Sequence, residues 1–402
     1  MIIIVTMKSS LLTIATLLIV ACNPSNKLQA RRLPKVEITW EEPLVLSAGG
    51  YVRVHPLLDG RLMCSYTHGG RGYARYSSDG GRTWTDEAVI YDSFTATSPA
   101  GDVRVTISNP ETAQLPESFP SHPGRLFYTV NLRPKDGLST RHPYGVALRY
   151  SEDGGSSWSE PSVLYLSEPW DTDTKKGCWE PFILALPDGT LHLYYSDETP
   201  YYREGNKYQN ISLLESSDGG DTWTKEPRVV CYTPSFRDGM PVAMIYEDRI
   251  YLSIETNNVD VKLHPQILYT SLSNPWPKTE GEFSPRRFDP FLESLESPEF
   301  TTGAPYLIQT ENFFVLSYQT SRGADITEHN RRIMEVQACP KSEMKKNVFH
   351  TMRGTSHPIE ADIQTESVMW NSLTPLGGDD ILACCMYNGK VTIVRGTVRL
   401  KD

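Results

Sequence analysis

Three copies of one motif, Ser-x-Asp-Gly-Gly-x-Ser/Thr-Trp, narrow what this chain can fold into more than any other feature. They occupy residues 77–84, 151–158 and 216–223, so successive copies lie 74 and then 65 residues apart. Asp-Gly and Gly-Gly are strong hairpin signals, because a tight two-residue turn needs positive φ at its centre. The Asp can accept backbone amides across the turn, and the Trp can cover the hairpin's apolar side. Each copy follows a short apolar or aromatic run and precedes another candidate strand. Repetition at this spacing predicts an array of similar all-β units. Asp79, Asp153 and Asp218 therefore read as turn residues and not as catalytic acids.

The motif resembles the Asp-box of sialidases and related glycosidases. That resemblance implies a six-bladed β-propeller in which the boxes are structural and lie away from the active site; such boxes also occur in non-enzymatic propellers. The chain has 402 residues, and at the box spacing it holds about six units, each long enough for the four strands of a blade. No helical period, heptad or low-complexity linker interrupts it. We read one all-β domain over residues 37–402.

The N-terminus reads as a targeting segment. Lys8 is followed by an apolar run over Leu11 to Val20 and then Ala21-Cys22. The run is short for a membrane span and ends at small residues. Ile19-Val20-Ala21-Cys22 resembles the bacterial lipobox, which implies acylation of Cys22. Residues 1–22 are then a lipoprotein signal and 23–36 a polar tether, and the protein is expected at a bacterial cell envelope, meeting the membrane only through its lipid. A formal charge of −10 without a basic stripe argues against nucleic acid. Aromatic residues at 10 %, including 21 tyrosines, suit strand packing or sugar stacking. Six cysteines remain after Cys22 and match no metal pattern; Cys384 and Cys385 are adjacent in an apolar run and read as core residues. The histidines show no ligand spacing. No metal or other cofactor is expected, and the protein is expected to act as a monomer.

Two segments carry candidate chemistry. In Gly177-Cys178-Trp179-Glu180-Pro181-Phe182, which leads to Tyr194-Tyr195-Ser196-Asp197-Glu198, a Trp beside a Glu supplies an apolar face for a sugar and would desolvate the carboxyl, raising its pKa. The alternative is a rim Glu with Trp179 packing between blades. In the second segment, Arg237-Asp238-Gly239-Met240-Pro241 precedes Tyr251-Leu252-Ser253-Ile254-Glu255-Thr256. Glu255 ends an otherwise apolar run, and Arg237 is its candidate partner; the alternative is a solvated strand-end carboxylate.

Together these segments resemble glycoside hydrolase family 93, the exo-α-L-arabinanases, in which a Trp-Glu-Pro-Phe segment leads into Tyr-Tyr-Ser-Asp and an Arg-x-Gly-Met-Pro segment precedes a strand ending in Tyr-Glu. Ile254 replaces that Tyr here. The resemblance implies Glu180 and Glu255 as catalytic carboxylates, with Trp179, Asp197, Arg237 and Asp238 around the substrate. Tyr51-Val52-Arg53-Val54-His55-Pro56 is similar to the family's first-blade segment, and to a sialidase segment whose Arg binds a carboxylate. Asn109-Pro110 and Asn131-Leu132-Arg133 are similar to its second blade. They add Arg53, His55, Asn109 and Arg133 as substrate-binding candidates. The likeness covers roughly residues 45 to 260. The family's late Tyr has no counterpart in Ser367 to Leu373, with Tyr306 and Tyr318 alternatives by type, and a sialidase-like third arginine has only Arg322 and Arg353 as loose candidates.

The expectation is an exo-acting, retaining glycosidase on a poly- or oligosaccharide, arabinan-type favoured, with Glu180 as acid/base and Glu255 as nucleophile; the reverse assignment is the alternative. Carboxyl groups about 5–5.5 Å apart would retain configuration and about 6.5–9.5 Å would invert it. The Tyr-rich loop Glu198 to Tyr208 is expected to wall the pocket and make cleavage exo. A sialidase-like hydrolase and a non-catalytic glycan-binding propeller are the rival functions.

Overall fold

Strand after strand pairs with its predecessor, giving six antiparallel meanders arranged as the blades of a propeller. The computed structural model describes residues 33–98, 101–135, 142–167, 177–205, 208–258, 261–325 and 331–401. Cys22 and the proposed signal lie outside the described residues. The six innermost strands are Gly50–Pro56, Gly101–Gln114, Cys178–Ala185, Asp238–Tyr246, Thr302–Gln309 and Val368–Gly377. Each pairs with a second strand: Leu62–His68, Leu126–Pro134, Leu191–Asp197, Arg249–Asn258, Phe313–Thr320 and Asp380–Tyr387, in that order. The sixth blade is closed by the chain's beginning, because Lys35–Trp40 pairs antiparallel with Lys390–Lys401. The propeller therefore starts at Lys35, two residues before the boundary expected from sequence.

Period-two alternation along the strands sends apolar side chains to both faces of each blade, and every pair of adjacent blades shares one buried cluster. Cys384 and Cys385 are buried, and the six cysteines of the described residues are free thiols.

The boxes turn as their residues predict. In each, a Ser hydroxyl donates to the Asp (2.7–2.8 Å), and the Asp accepts a backbone amide and a hydroxyl from the Ser/Thr four positions on. These donors hold the carboxyls low, Asp153 and Asp218 to about 2. Ser77 pairs with Leu62, which also pairs with Pro56 at the end of its inner strand. The boxes thus lie at the opposite end of the blades from the start of the inner strands, where the candidate site forms.

Candidate active site

Each inner strand carries a β-bulge that holds one non-glycine residue in the left-handed region. These are Tyr51, Asn109, Glu180, Met240, Ala304 and Trp370, with φ between 49° and 57°. Left-handed φ in such residues is unfavourable by about 1–2 kcal/mol, and a bulge re-aims the side chain that carries it. The six form a collar at the propeller axis. Tyr51, Met240 and Ala304 bury one another with Trp370 against them, and Asn109 hydrogen-bonds the Tyr51 hydroxyl. Glu180 is the collar's one acid.

Polar side chains on the second strands hold the collar. At equivalent register positions, Asn131, Ser196, Glu255 and Gln319 accept the amide of the next blade's bulge residue: Glu180 N (2.8 Å), Met240 N (2.8 Å), Ala304 N (2.8 Å) and Trp370 N (2.9 Å). Glu255 therefore occupies a recurring structural position, but with a carboxylate that has a second oxygen to spare. Its Oε2 takes the Ala304 amide, and its Oε1 takes Arg237 Nε at 2.7 Å and Arg237 Nη2. A methyl group on Gly303 would fall 2.6 Å from Glu255 Oε2, so the close approach requires glycine there.

Burial pushes the Glu180 carboxyl up to about 7, with Arg237 opposing the shift and Glu255 reinforcing it. The Ser196 hydroxyl donates to Glu180 Oε2 at 2.9 Å. The site thus combines a carboxyl that is protonated near neutrality with a carboxylate tied to an arginine, within electrostatic reach of each other. Unlike environments of this kind separate an acid from a nucleophile.

Several sequence candidates lie elsewhere. Arg53 is 2 % exposed beneath the collar. Its Nη1 donates to the carbonyls of Val52, Trp370 and Asn371 (2.8–3.3 Å), its Nε lies 3.2 Å from Glu111, and the rings of Tyr51 and Tyr306 cover it at 4.0 and 5.1 Å. It is a floor, not a free substrate ligand. His55 is four residues beyond Tyr51, about 13 Å along an extended strand. It borders an axial cavity of about 220 Å³ shared with Met244, Ile308 and Thr374, and accepts the Gln114 amide at 3.2 Å. Burial lowers it to about 4, which marks a neutral structural imidazole.

Strand parity removes two more. Asp197 points opposite to Ser196 and accepts Thr199 N (3.0 Å) and Ser212 Oγ (3.3 Å). Asp238 is wholly buried against Arg287 (2.7 Å) and Thr233 (2.8 Å). Trp179 packs between blades as the structural alternative had it: its Nε1 donates to Glu198 (3.1 Å), its ring lies 4.9 Å from Tyr144, and Arg133 covers it at 5.2 Å. In the Tyr-rich loop, Tyr201 stacks on Tyr232 with centroids 3.8 Å apart.

Sequence reasoning missed Ser196, Glu111 and Arg332. Arg332, half-buried, feels the charge of Glu255, and burial lowers its pKa. Arg322 and Arg353, by contrast, are turned to Glu335 (3.9 Å) and Glu343 (2.7 Å). Tyr306 sits under the collar, hydrogen-bonded to Glu111, while Tyr318 is buried in the core between the fourth and fifth blades.

Residues 143–244 match the BNR repeat-like domain family. Comparison with curated protein sequences finds no match. Among solved structures, the chain is similar to an α-L-arabinofuranosidase of Fusarium graminearum in complex with an iminosugar inhibitor (TM-score 0.60, 16 % identity, 90 % of this chain and 98 % of that one). It is also similar to an α-L-arabinanase of Penicillium chrysogenum complexed with arabinobiose (0.58, 16 %, 89 % and 98 %). A Hadza microbial sialidase gives 0.53 at 15 % identity over 88 % of this chain and 66 % of that one. The fold is the sialidase-like six-bladed propeller, and these fold neighbours are glycoside hydrolases.

Proposed function

We propose that this chain is a retaining glycoside hydrolase that removes terminal units from an arabinan-type polysaccharide or oligosaccharide. The observation that carries the reading is the unlike pair at the axis: Glu180, raised to about 7, beside Glu255, tied to Arg237 and the Ala304 amide. Protonated Glu180 gives its proton to the glycosidic oxygen as the C–O bond breaks, and Glu255 attacks the anomeric carbon. Glu180, now a carboxylate, takes a proton from the water that displaces Glu255. Glu255 Oε1 accepts both Arg237 donors, whereas Oε2 accepts the Ala304 amide and keeps a further lone pair for attack. The arabinanase and arabinofuranosidase among the fold neighbours support this substrate class. We further propose export and anchoring at the cell envelope through acylated Cys22.

The test is product analysis on linear arabinan, arabino-oligosaccharides and sialyllactose with wild type, Glu180→Gln and Glu255→Gln. Arabinan turnover should fall at least about 100-fold in each variant with folding intact, and near-normal turnover in either removes that residue from the mechanism. Chain-end products with slowly falling viscosity are expected; a rapid viscosity drop sinks the exo reading. Arg332 near Glu255 favours a second reading, a sialidase-like hydrolase, and release of sialic acid would establish it. Radiolabelled palmitate should enter the wild-type protein but not Cys22→Ser; unlabelled wild type ends the anchor proposal.

A further inference from the structure

Beside the collar, between the first and second blades, lies a cavity of about 750 Å³. Its titratable lining groups are His68, Arg71, Tyr73, Arg104 and Lys135, with Ser93 and Thr106 adding hydroxyls, and no carboxylate lines it. Asp92, outside the lining, takes Arg71 Nε at 2.8 Å, and Arg104 Nη2 donates to the neutral Ser93 hydroxyl. The lining thus carries three permanent cations and no acid, on a chain whose formal charge is −10.

The cavity has a rigid aromatic wall. Tyr73 stacks on Tyr66 (centroids 5.7 Å, planes 16° apart), and the Tyr73 carbonyl accepts the Tyr128 hydroxyl at 3.0 Å. An aromatic face with fixed cations and hydroxyls suits a sugar ring bearing an anionic substituent.

Its position ties it to the proposed active site. Thr67, just before His68, pairs with Gly50, the residue before Tyr51 of the collar. The Gly70 carbonyl accepts the Ile107 amide at 2.9 Å, two residues before Asn109 of the collar. The cavity therefore opens at the same end of the first and second blades as the collar.

We infer that this cavity is a subsite for an acidic sugar residue, bearing a carboxylate or a sulfate ester, in the glycan that the protein processes. The inference rests on the glycan-hydrolase reading but concerns equilibrium binding, so the two fail separately. Calorimetry on the Glu180→Gln protein would compare α-1,4-trigalacturonate, its fully methyl-esterified form, galactose 6-sulfate, free galactose and inorganic sulfate, at low and moderate salt. At least one anionic sugar should bind tenfold or more tightly than its neutral counterpart, with the preference shrinking as salt rises. The carboxylate and sulfate arms tell the two sources apart. Arg104→Gln with Lys135→Gln should lose at least fivefold of that preference at unchanged melting temperature. Equal binding of charged and neutral sugars, a preference that survives the double variant, or binding of inorganic sulfate alone (an adventitious ion only) each overturns the inference. Arabinan cleavage without any acidic preference removes the subsite alone, whereas acidic preference without turnover of any glycan removes only the hydrolase reading.

Discussion

Because the Ser196 hydroxyl already accepts the Met240 amide, its single proton goes to Glu180 Oε2, and the acidic proton of Glu180 is left to Oε1. Ser196 is thus a positioning residue that decides which oxygen acts as the acid. With Glu180 raised to about 7, the acid is present below that pH and lost above it, so kcat/KM should fall on an alkaline limb near pH 7. The Ser196 hydrogen bond favours the charged form and lowers the pKa against burial. Ser196→Ala should therefore move the alkaline limb upward by roughly 0.5–1 pH unit, while Ser196→Thr should restore it. A limb that stays in place in Ser196→Ala while kcat falls would leave Ser196 a purely structural cap. The family resemblance pointed to Asp197, the carboxylate of the Tyr-Tyr-Ser-Asp segment, and not to Ser196 beside it. The parity of the strand, with Ser196 turned toward Glu180 and Asp197 away from it, reverses that choice, and the same parity removes Asp238 beside Arg237.

At the scale of the element, two devices repeat around the axis with very different visibility in sequence. The box is written out in side chains, so three blades announce themselves. The collar bulge is a backbone feature, shared by Tyr, Asn, Glu, Met, Ala and Trp, and no residue pattern spans those six. Its trace is a proline directly after the bulge in four blades (Pro110, Pro181, Pro241 and Pro305). The caps from Asn131, Ser196, Glu255 and Gln319 are equally hidden, because any acceptor of suitable length serves. Box and blade are also clamped together: Arg61 Nη2 donates to the Gly154 carbonyl (2.7 Å), Arg125 Nη1 to Gly219 (2.9 Å), and Arg395 to Gly80. Each arginine belongs to the blade preceding the box it holds. Arg125 is 2 % exposed and also meets Glu152 and Asp221 at 2.6 and 2.7 Å. Those acids are about half exposed, which screens the pairing, but removal also strands the Gly219 carbonyl and leaves a cavity. Arg125→Ala should cost about 2–3 kcal/mol in denaturant unfolding with the Glu180 pH profile unchanged. A loss below about 0.5 kcal/mol would show that the clamp contributes nothing.

For the whole molecule, the decisive step is closure, and it depends on the strand that sequence reading assigned partly to a tether. Lys35–Trp40 supplies the outer strand of the sixth blade, pairing residue by residue from Lys35 with Lys401 to Trp40 with Gly396. Val36 and Ile38 enter the cluster shared by the fifth and sixth blades, beside Val398, Met334 and Ile359. The repeat count was legible because box spacing and chain length agree on six units; the closing strand was not, because Lys35-Val36-Glu37 is charged enough to pass for linker until its partner is known. The outward-facing Glu37 meets Lys401 at 2.8 Å, while Val36 carries the burial. A chain beginning at Leu33 should melt like the full mature protein. One beginning at Glu41 loses the strand, two buried β-branched side chains and the Trp40 indole bond to Ser356 (2.7 Å). At about 1 kcal/mol for each backbone bond and 2–4 for each buried aliphatic side chain, that loss should lower the melting temperature by at least roughly 5–10 °C and expose the edge of Lys390–Lys401 to aggregation. The effect should reach the axis as well, since Arg53 rests on the carbonyls of Trp370 and Asn371 in the same blade. Glycan turnover should therefore fall together with the melting temperature. An active, monodisperse protein starting at Glu41 with an unchanged melting curve would show that the propeller closes without its first strand.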